Sequence, residues 1–192
     1  MNTIATREEW LVRGIEALKS EFFSQLEIPR VACSCGWTKK PKAIGICHPP
    51  EHSANGTIEI FICPTQDDPV EVLAVLLHEL GHAHLGNEVA HKAPFAQLMR
   101  KFGLKGKPTS TVAEKGTECY NRLAQIAEGL GPYPHAAMTK PPKQANKKKV
   151  QWIKLVSPED EEYSFTLAMN PSLEEHGWPR DPWGNEMVEA QK

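Results

Sequence analysis

The sequence predicts an α+β fold that contains helices, two or three short antiparallel strands and a small β-hairpin module at the carboxyl end. Apolar residues recur at helical spacing before residue 28 and again within residues 70–130. Between these regions, residues 30–63 contain short β-branched runs separated by Gly, Pro and Asn, which is the pattern of short strands. A chain of 192 residues is long enough to bury such a core without disulfides.

Composition and charge argue against several classes of protein. The net charge is −2, so no overall electrostatic attraction to nucleic acid or to a membrane surface is expected. No apolar run is long enough for a membrane span, and residues 1–9 lack the pattern of a signal peptide. Five cysteines are an odd number at low density, which favours free thiols in a reducing compartment. These features predict a cytoplasmic protein.

The first predicted elements are a helix and a set of short strands. Thr6 and Glu9 form a capping box at the start of an amphipathic helix over residues 7–27. Two or three short antiparallel strands follow within residues 30–63. One of them is residues 57–62, where polar and β-branched residues alternate at the start.

The second helix is predicted over residues 70–85. Asp68 supplies an N-cap carboxylate and Pro69 suits the first turn, while Gly86 is a stop signal. Apolar residues lie on nearly every face of this helix, so it is expected to be buried rather than to lie on the surface.

Two further helices and a separate module complete the prediction. A third helix covers residues 92–102, and Thr111 with Glu114 forms a second capping box that starts a fourth helix. Residues 139–149 are a basic, proline-containing linker. The chain therefore divides into a domain over residues 1–138, this linker, and a module over residues 150–192 that begins with a hairpin.

One motif carries recognisable chemistry. His78-Glu79-Leu80-Gly81-His82 is an HExxH pattern, and positions i and i+4 share one face of a helix. Both imidazoles can then bind one cation, while Glu79 lies beside the metal as a general base for a water that zinc acidifies to a pKa near 7. The alternative is a pair of core histidines bonded to backbone carbonyls. A buried helix favours the metal, because unsatisfied polar groups there are costly.

Catalytic zinc requires a third protein ligand and an open position. His91 lies beyond the helix stop and can fold back toward the motif. Glu88, Glu114 and Glu118 are alternative ligands, whereas His84 points to a different face of the helix from His82. Spacing favours His91 and leaves the other three open.

Two segments resemble the SprT-like metallopeptidases. The HExxH motif at residues 78–82 is followed by His91 and Phe95, which keep the places of the family's His-Gly-x-x-Phe segment, although Lys92 stands where Gly is usual. Further segments are similar to the phage and bacterial branch of this family: Cys35-Gly36-Trp37 and Leu130 to Ala136.

The resemblance covers roughly residues 10–138 and implies a zincin fold, with helices packed on a small antiparallel sheet. It implies a zinc-dependent endopeptidase with one catalytic zinc, in which His91 is the third ligand. It also implies a bacterial cytoplasm or that of a phage-infected host. The Spartan proteases of this family cleave proteins crosslinked to DNA. By that analogy, Lys140 to Lys149 are the candidates for a weak DNA contact.

The carboxyl-terminal module departs from the family. Many members end in a zinc ribbon built from Cys-x-x-Cys pairs, but this chain has no cysteine after Cys119. Ser157 and Asp160 stand where the first pair of cysteines would be. Residues 150–192 are therefore predicted to form a degenerate, metal-free β-hairpin module, which weakens any inference of nucleic-acid binding through it.

Two other groups are candidate site residues. Tyr133 or His135 is a candidate contact to the oxyanion or to the substrate, as zincins often require. The alternative is a tight turn that packs its tyrosine on the core. Cys33, Cys35 and Cys47 are candidates for a second metal site, but strand cysteines more often act as small core hydrophobes.

Three functional hypotheses follow. The first is an active zinc endopeptidase that hydrolyses proteins or peptides, including DNA-associated proteins. The second is a catalytically silent zincin-fold interaction protein, against which an intact Glu79 argues. The third is a nucleic-acid-binding adaptor that uses the lysine linker and the terminal module.

Overall fold

The computed structural model describes residues 4–38, 42–139, 150–169 and 171–190. The chain divides into two compact units, Met1–Lys140 and Pro141–Lys192. Helices and small sheets are both present, which confirms the predicted α+β class. No helix in the described ranges is long and apolar enough to span a membrane.

Four helices form most of the first unit: α1 (Arg7–Phe22), α2 (Pro69–Leu85), α3 (Ala93–Lys101) and α4 (Glu118–Leu130). The Thr6 cap of α1 is confirmed, since its side chain accepts from the Glu9 amide at 3.1 Å. The predicted end of α1 at residue 27 is wrong. The chain leaves the helix at Phe23, whose buried ring packs against Phe102 with centroids 4.7 Å apart.

The sheet of the first unit has three strands: β1 (Val31–Cys35), β2 (Gly45–His48) and β3 (Ile58–Ile62). Their order is β1-β3-β2, with β1 parallel and β2 antiparallel to β3. The prediction of an all-antiparallel sheet is therefore wrong. Strand β3 lies at the centre of this sheet, and β1 and β2 pair with its two opposite edges. One face of β3, formed by Ile58, Ile60 and Ile62, is buried.

Helix α2 lies at the centre of the first unit. All its residues from Val72 to Ala83 are buried, as the nearly all-apolar sequence predicts. One main apolar core joins α1, β3, α2 and α4, and it includes large, fully buried side chains such as Trp10, Leu76 and Phe95. The polar side chains of the HExxH motif are therefore held by a rigid, well-packed element.

A small hairpin replaces the predicted start of the fourth helix. It consists of β4 (Lys105–Lys107) and β5 (Ser110–Val112), which pair antiparallel. Thr111 lies in β5, so the capping box with Glu114 is wrong. Thr117 caps α4 instead, because its hydroxyl accepts from the Tyr120 amide at 3.2 Å.

The second unit contains the predicted hairpin, formed by β6 (Trp152–Val156) and β7 (Ser164–Ala168). It also contains two elements that the sequence did not predict: a short helix α5 (Pro171–His176) and a third strand β8 (Val188–Glu189), which pairs with β6. The module is therefore a three-stranded sheet rather than a hairpin alone. Its small core is Ile153, Leu155 and Met187.

A hydrogen-bonded network closes the second unit. The Ser157 hydroxyl donates to Asp181 Oδ2 at 2.7 Å and accepts from the amides of Glu159 and Asp160. Asp181 in turn accepts from the backbone amides of Trp183 and Asn185. Among the described residues of this unit no cluster suited to a metal ion is present. Ser157 therefore bonds both the Asp160 amide, at the other predicted cysteine position, and the Asp181 carboxylate.

Candidate metal centre

The HExxH side chains lie in the last half of α2. His78, Glu79 and His82 are all buried, with exposed fractions of 9%, 6% and 7%. Asp68 fixes the start of the helix by accepting from the Val70 and Glu71 amides. Gly86, with φ of +84°, ends it. This conformation favours glycine and lets the chain turn back over the motif.

The turn after α2 brings a third histidine to the motif. A short 3-10 helix, Asn87–Val89, follows Gly86, and Ala90 adopts a φ of +48°, where backbone strain is expected for a residue with a side chain. His91 then places its Nε2 atom 3.3 Å from His78 Nε2 and 3.2 Å from His82 Nε2. These three residues form the group in the described chain that can hold a metal ion.

The arrangement fits a tetrahedral ion. Ligands at about 2.05 Å from zinc in a tetrahedron lie about 3.3 Å from one another, which matches the separations of His91 Nε2 from the Nε2 atoms of His78 and His82. Burial, together with the neighbouring histidines, lowers the pKa of His78 to about 3 and that of His82 to about 4. Both imidazoles are therefore neutral near pH 7, which is the state that binds a metal.

Phe95 holds the three imidazoles in place. Its ring stacks on His82 with centroids 4.1 Å apart and an interplanar angle of 17°, and it meets His78 and His91 edge-on at 4.8 and 5.2 Å. Gly81 makes room for this packing, because a Cβ there would overlap Met99 and lie 3.3 Å from the Phe95 ring. The Phe95 match to the SprT-like pattern thus has a local structural role.

The second nitrogen of His78 is bonded by the hairpin. Thr111 Oγ1 lies 2.8 Å from His78 Nδ1, across 33 residues of sequence. Sequence reasoning missed this contact because it assigned Thr111 to a helix cap. Thr111 followed three residues later by Glu114 fits a capping box, and the sequence around them does not show that Thr111 lies in a short strand instead.

Glu79 lies against β2. Burial raises the pKa of its carboxyl group to about 8, while a nearby cation would favour the charged form. A Cβ at Gly45 would lie 2.6 Å from both Glu79 Oε1 and Val75 Cγ1. Glycine at this position therefore allows the strand to lie directly beside the carboxylate.

A cleft of about 720 Å³ adjoins the three histidines. Its lining includes β2 and the residues just before it, the hairpin residues Thr109 to Val112, and His78, Glu79, His82 and His91. The cleft is therefore large enough for a peptide segment and has the candidate metal ligands and the candidate base in its wall.

The edge of β2 presents backbone groups to this cleft. The Ile44 carbonyl accepts from the Cys63 amide at 2.8 Å, so in the alternating pattern of an antiparallel pair Gly45 and Cys47 turn their backbone groups away from β3. Asn87 Nδ2 donates to the Cys47 carbonyl at 3.3 Å, which agrees with this direction. The Gly45 N–H and C=O and the Cys47 N–H therefore point to the side where an extended chain could pair.

The structure does not bring Tyr133 or His135 to the metal centre, and neither lines the cleft. The Tyr133 hydroxyl lies 3.3 Å from Cys35 Sγ, and its ring packs edge-on against Trp10. The His135 ring bonds the Arg7 guanidinium at 3.1 Å and the Pro64 carbonyl at 2.8 Å. Tyr133 is buried and His135 is half-buried, and both make these contacts away from the cleft. Their assignment as oxyanion or substrate contacts stays a prediction.

The cysteines do not form a second metal site. Cys33, Cys35 and Cys47 are free thiols, and the metal-ligand group of the described residues contains none of them. Burial raises the pKa of Cys47 to about 12 and also raises the pKa of Cys33 and Cys35. Buried and half-buried thiols of this kind behave as small core hydrophobes.

The remaining candidate ligands also lie outside the group. Glu88, Glu114 and Glu118 do not belong to the histidine cluster. His84 points elsewhere, with its Nδ1 2.7 Å from the Glu27 carbonyl. The lysine linker, Lys140 to Lys149, lies outside the described residues.

Comparison with protein-family models, with curated proteins and with solved structures finds no significant match to this chain. The resemblance to SprT-like metallopeptidases therefore depends on the motif residues themselves.

Proposed function

We propose that this chain is a zinc-dependent endopeptidase of the zincin type, related to the SprT-like metallopeptidases. One observation carries the proposal. The Nε2 atom of His91 lies 3.3 and 3.2 Å from those of His78 and His82, in a cleft wall that also contains the buried Glu79. Three imidazoles with an open fourth position are a ligand set of catalytic zinc.

The proposed roles follow from the chemistry of each group. Zinc in such a site polarises a carbonyl oxygen and acidifies water. His78, His82 and His91 hold the ion, and Glu79 takes a proton from the attacking water and passes it to the leaving amine nitrogen. A buried carboxyl group with a raised pKa is suited to carry that proton.

The proposed substrate is an extended segment of a protein. It pairs with the cleft-facing backbone groups of β2, as a strand added to a sheet edge. Pairing through backbone groups requires no chain terminus, which favours an endopeptidase over an exopeptidase. Action on DNA-associated proteins is a further hypothesis that depends on the lysine linker.

The test is Glu79→Gln, which removes the base but keeps the shape of the side chain. We expect cleavage of an unstructured protein such as casein to fall by about 100-fold or more, while zinc measured by mass spectrometry stays at the wild-type level. Glu71→Gln makes the same change in the exposed first turn of α2 and serves as the matched control.

Wild-type cleavage by the zinc-loaded Glu79→Gln variant would contradict the assigned mechanism. Zinc bound to the wild type without cleavage of any unstructured protein would favour the silent interaction protein instead.

A further inference from the structure

We infer that Thr111 is a positioning residue, whose hydroxyl orients His78 for the metal and couples the β4–β5 hairpin to the metal centre. The inference goes beyond the three ligands and the base, and it rests on the metal site of the proposed function. It concerns a contact between distant segments, since Thr111 Oγ1 and His78 Nδ1 are 2.8 Å apart and 33 residues separate them.

The two ring nitrogens of His78 face different partners. Nε2 faces the other ligand histidines, 3.3 Å from His91 Nε2, whereas Nδ1 faces Thr111. Binding a metal through Nε2 requires the proton to be on Nδ1, and that N–H then donates to the Thr111 hydroxyl. Such a partner fixes both the tautomer and the ring orientation of a ligand histidine.

The hairpin depends on few other buried contacts. Its two strands have three residues each, and among these six residues only Thr111 is half-buried while the others are exposed. An isolated two-stranded hairpin is marginally stable in water. The bond to His78 therefore anchors this hairpin to α2 at its one inward-facing residue.

This anchoring has a consequence for the cleft. Thr109 to Val112 line the same cleft as β2. An ion that immobilises His78 also immobilises the hydrogen-bonded Thr111, and with it one wall of the cleft. The free energies of metal binding and of ordering that wall are then coupled. A bound metal favours the ordered wall, and an ordered wall favours metal binding.

The first experiment compares zinc affinity in the full chain, measured by competition with a chromophoric chelator. Thr111→Val keeps the size of the side chain and removes the hydroxyl, so we expect about 10-fold weaker zinc binding. Thr111→Ser keeps the hydroxyl and should restore the affinity. Thr166→Val makes the same chemical change at an exposed strand residue of the second unit and should leave zinc affinity unchanged.

Two further readouts separate positioning from a general structural effect. In the cobalt-substituted protein, the visible absorption bands should change in Thr111→Val and return in Thr111→Ser, because they report ligand geometry. Zinc should also slow amide hydrogen exchange of residues 105–112 in the wild type and in Thr111→Ser, but not in Thr111→Val.

Zinc affinity and hairpin protection in Thr111→Val equal to those of the wild type would overturn the inference and leave the proposed function intact. A wild type that binds no zinc would overturn the proposed function, and the inference would fail with it.

Discussion

The two units of the chain each close around a cluster of polar side chains, but the clusters have opposite chemistry. In the first unit, the Nε2 atom of His91 lies within 3.3 Å of those of His78 and His82. These three residues can hold a metal ion. In the second unit, the Ser157 hydroxyl donates to the Asp181 carboxylate, which also accepts two backbone amides. The first cluster brings imidazole nitrogens, which can bind a metal, close together. In the second cluster, the carboxylate acceptor is bonded by hydroxyl and amide donors.

The polar groups of the two clusters are satisfied by different kinds of partner. The Nε2 atoms of His78, His82 and His91 face one another and can all be bound by one cation, so the first unit is expected to gain stability from zinc. In the described part of the second unit, Ser157 and Asp181 bond each other and nearby backbone amides.

Removal of zinc should change the relative stability of the two units more than any other perturbation. Zinc at about 100 times its dissociation constant should stabilise the first unit by about 2.7 kcal/mol through mass action. Hydrogen exchange of α2 and β3 should therefore accelerate when a chelator is added, while exchange of β6 and β7 should not change. Equal acceleration in both units would contradict the assignment of the metal to the histidines alone.

Ser157→Ala removes a hydrogen bond of the second unit and should destabilise that unit alone, with a smaller effect than zinc removal has on the first unit. Burial favours a raised pKa for Asp181, but hydrogen bonds from Ser157, Asn185 and Trp183 together lower it. Their contribution to stability is present above the unfolded-state pKa of about 3.9 and is lost as the pH falls through the lowered folded-state pKa. Exchange of β6 at pH 7 should accelerate by roughly 10-fold in the variant, and the acid dependence of this exchange should flatten. Zinc affinity should be unchanged.

Much of the first unit could be predicted because its signals are local. Asp68, Pro69 and Gly86 mark the ends of α2, and the spacing of His78 and His82 puts both on one helix face whatever the rest of the fold. The candidate third ligand, His91, followed from its position after the helix stop.

The remaining features depend on contacts that no local pattern encodes. The direction of β1 depends on which strand takes the centre of the sheet, and a run of β-branched residues does not specify it. Thr111 followed by Glu114 satisfies the capping-box pattern, yet the hydroxyl bonds a histidine 33 residues earlier. Tyr133 and His135 have chemistry suited to a site, but Tyr133 packs in the core and His135 bonds Arg7 and the Pro64 carbonyl.

Zinc bound by His78, His82 and His91 can be measured by native mass spectrometry of the purified full chain, with His91→Ala beside the wild type. His84→Ala, which removes a histidine of α2 that lies outside the cluster, is the matched control. We predict one zinc per chain in the wild type and in His84→Ala, and affinity lower by about 100-fold or more in His91→Ala. A wild type without zinc after zinc is supplied, or full affinity in His91→Ala, would contradict the claim.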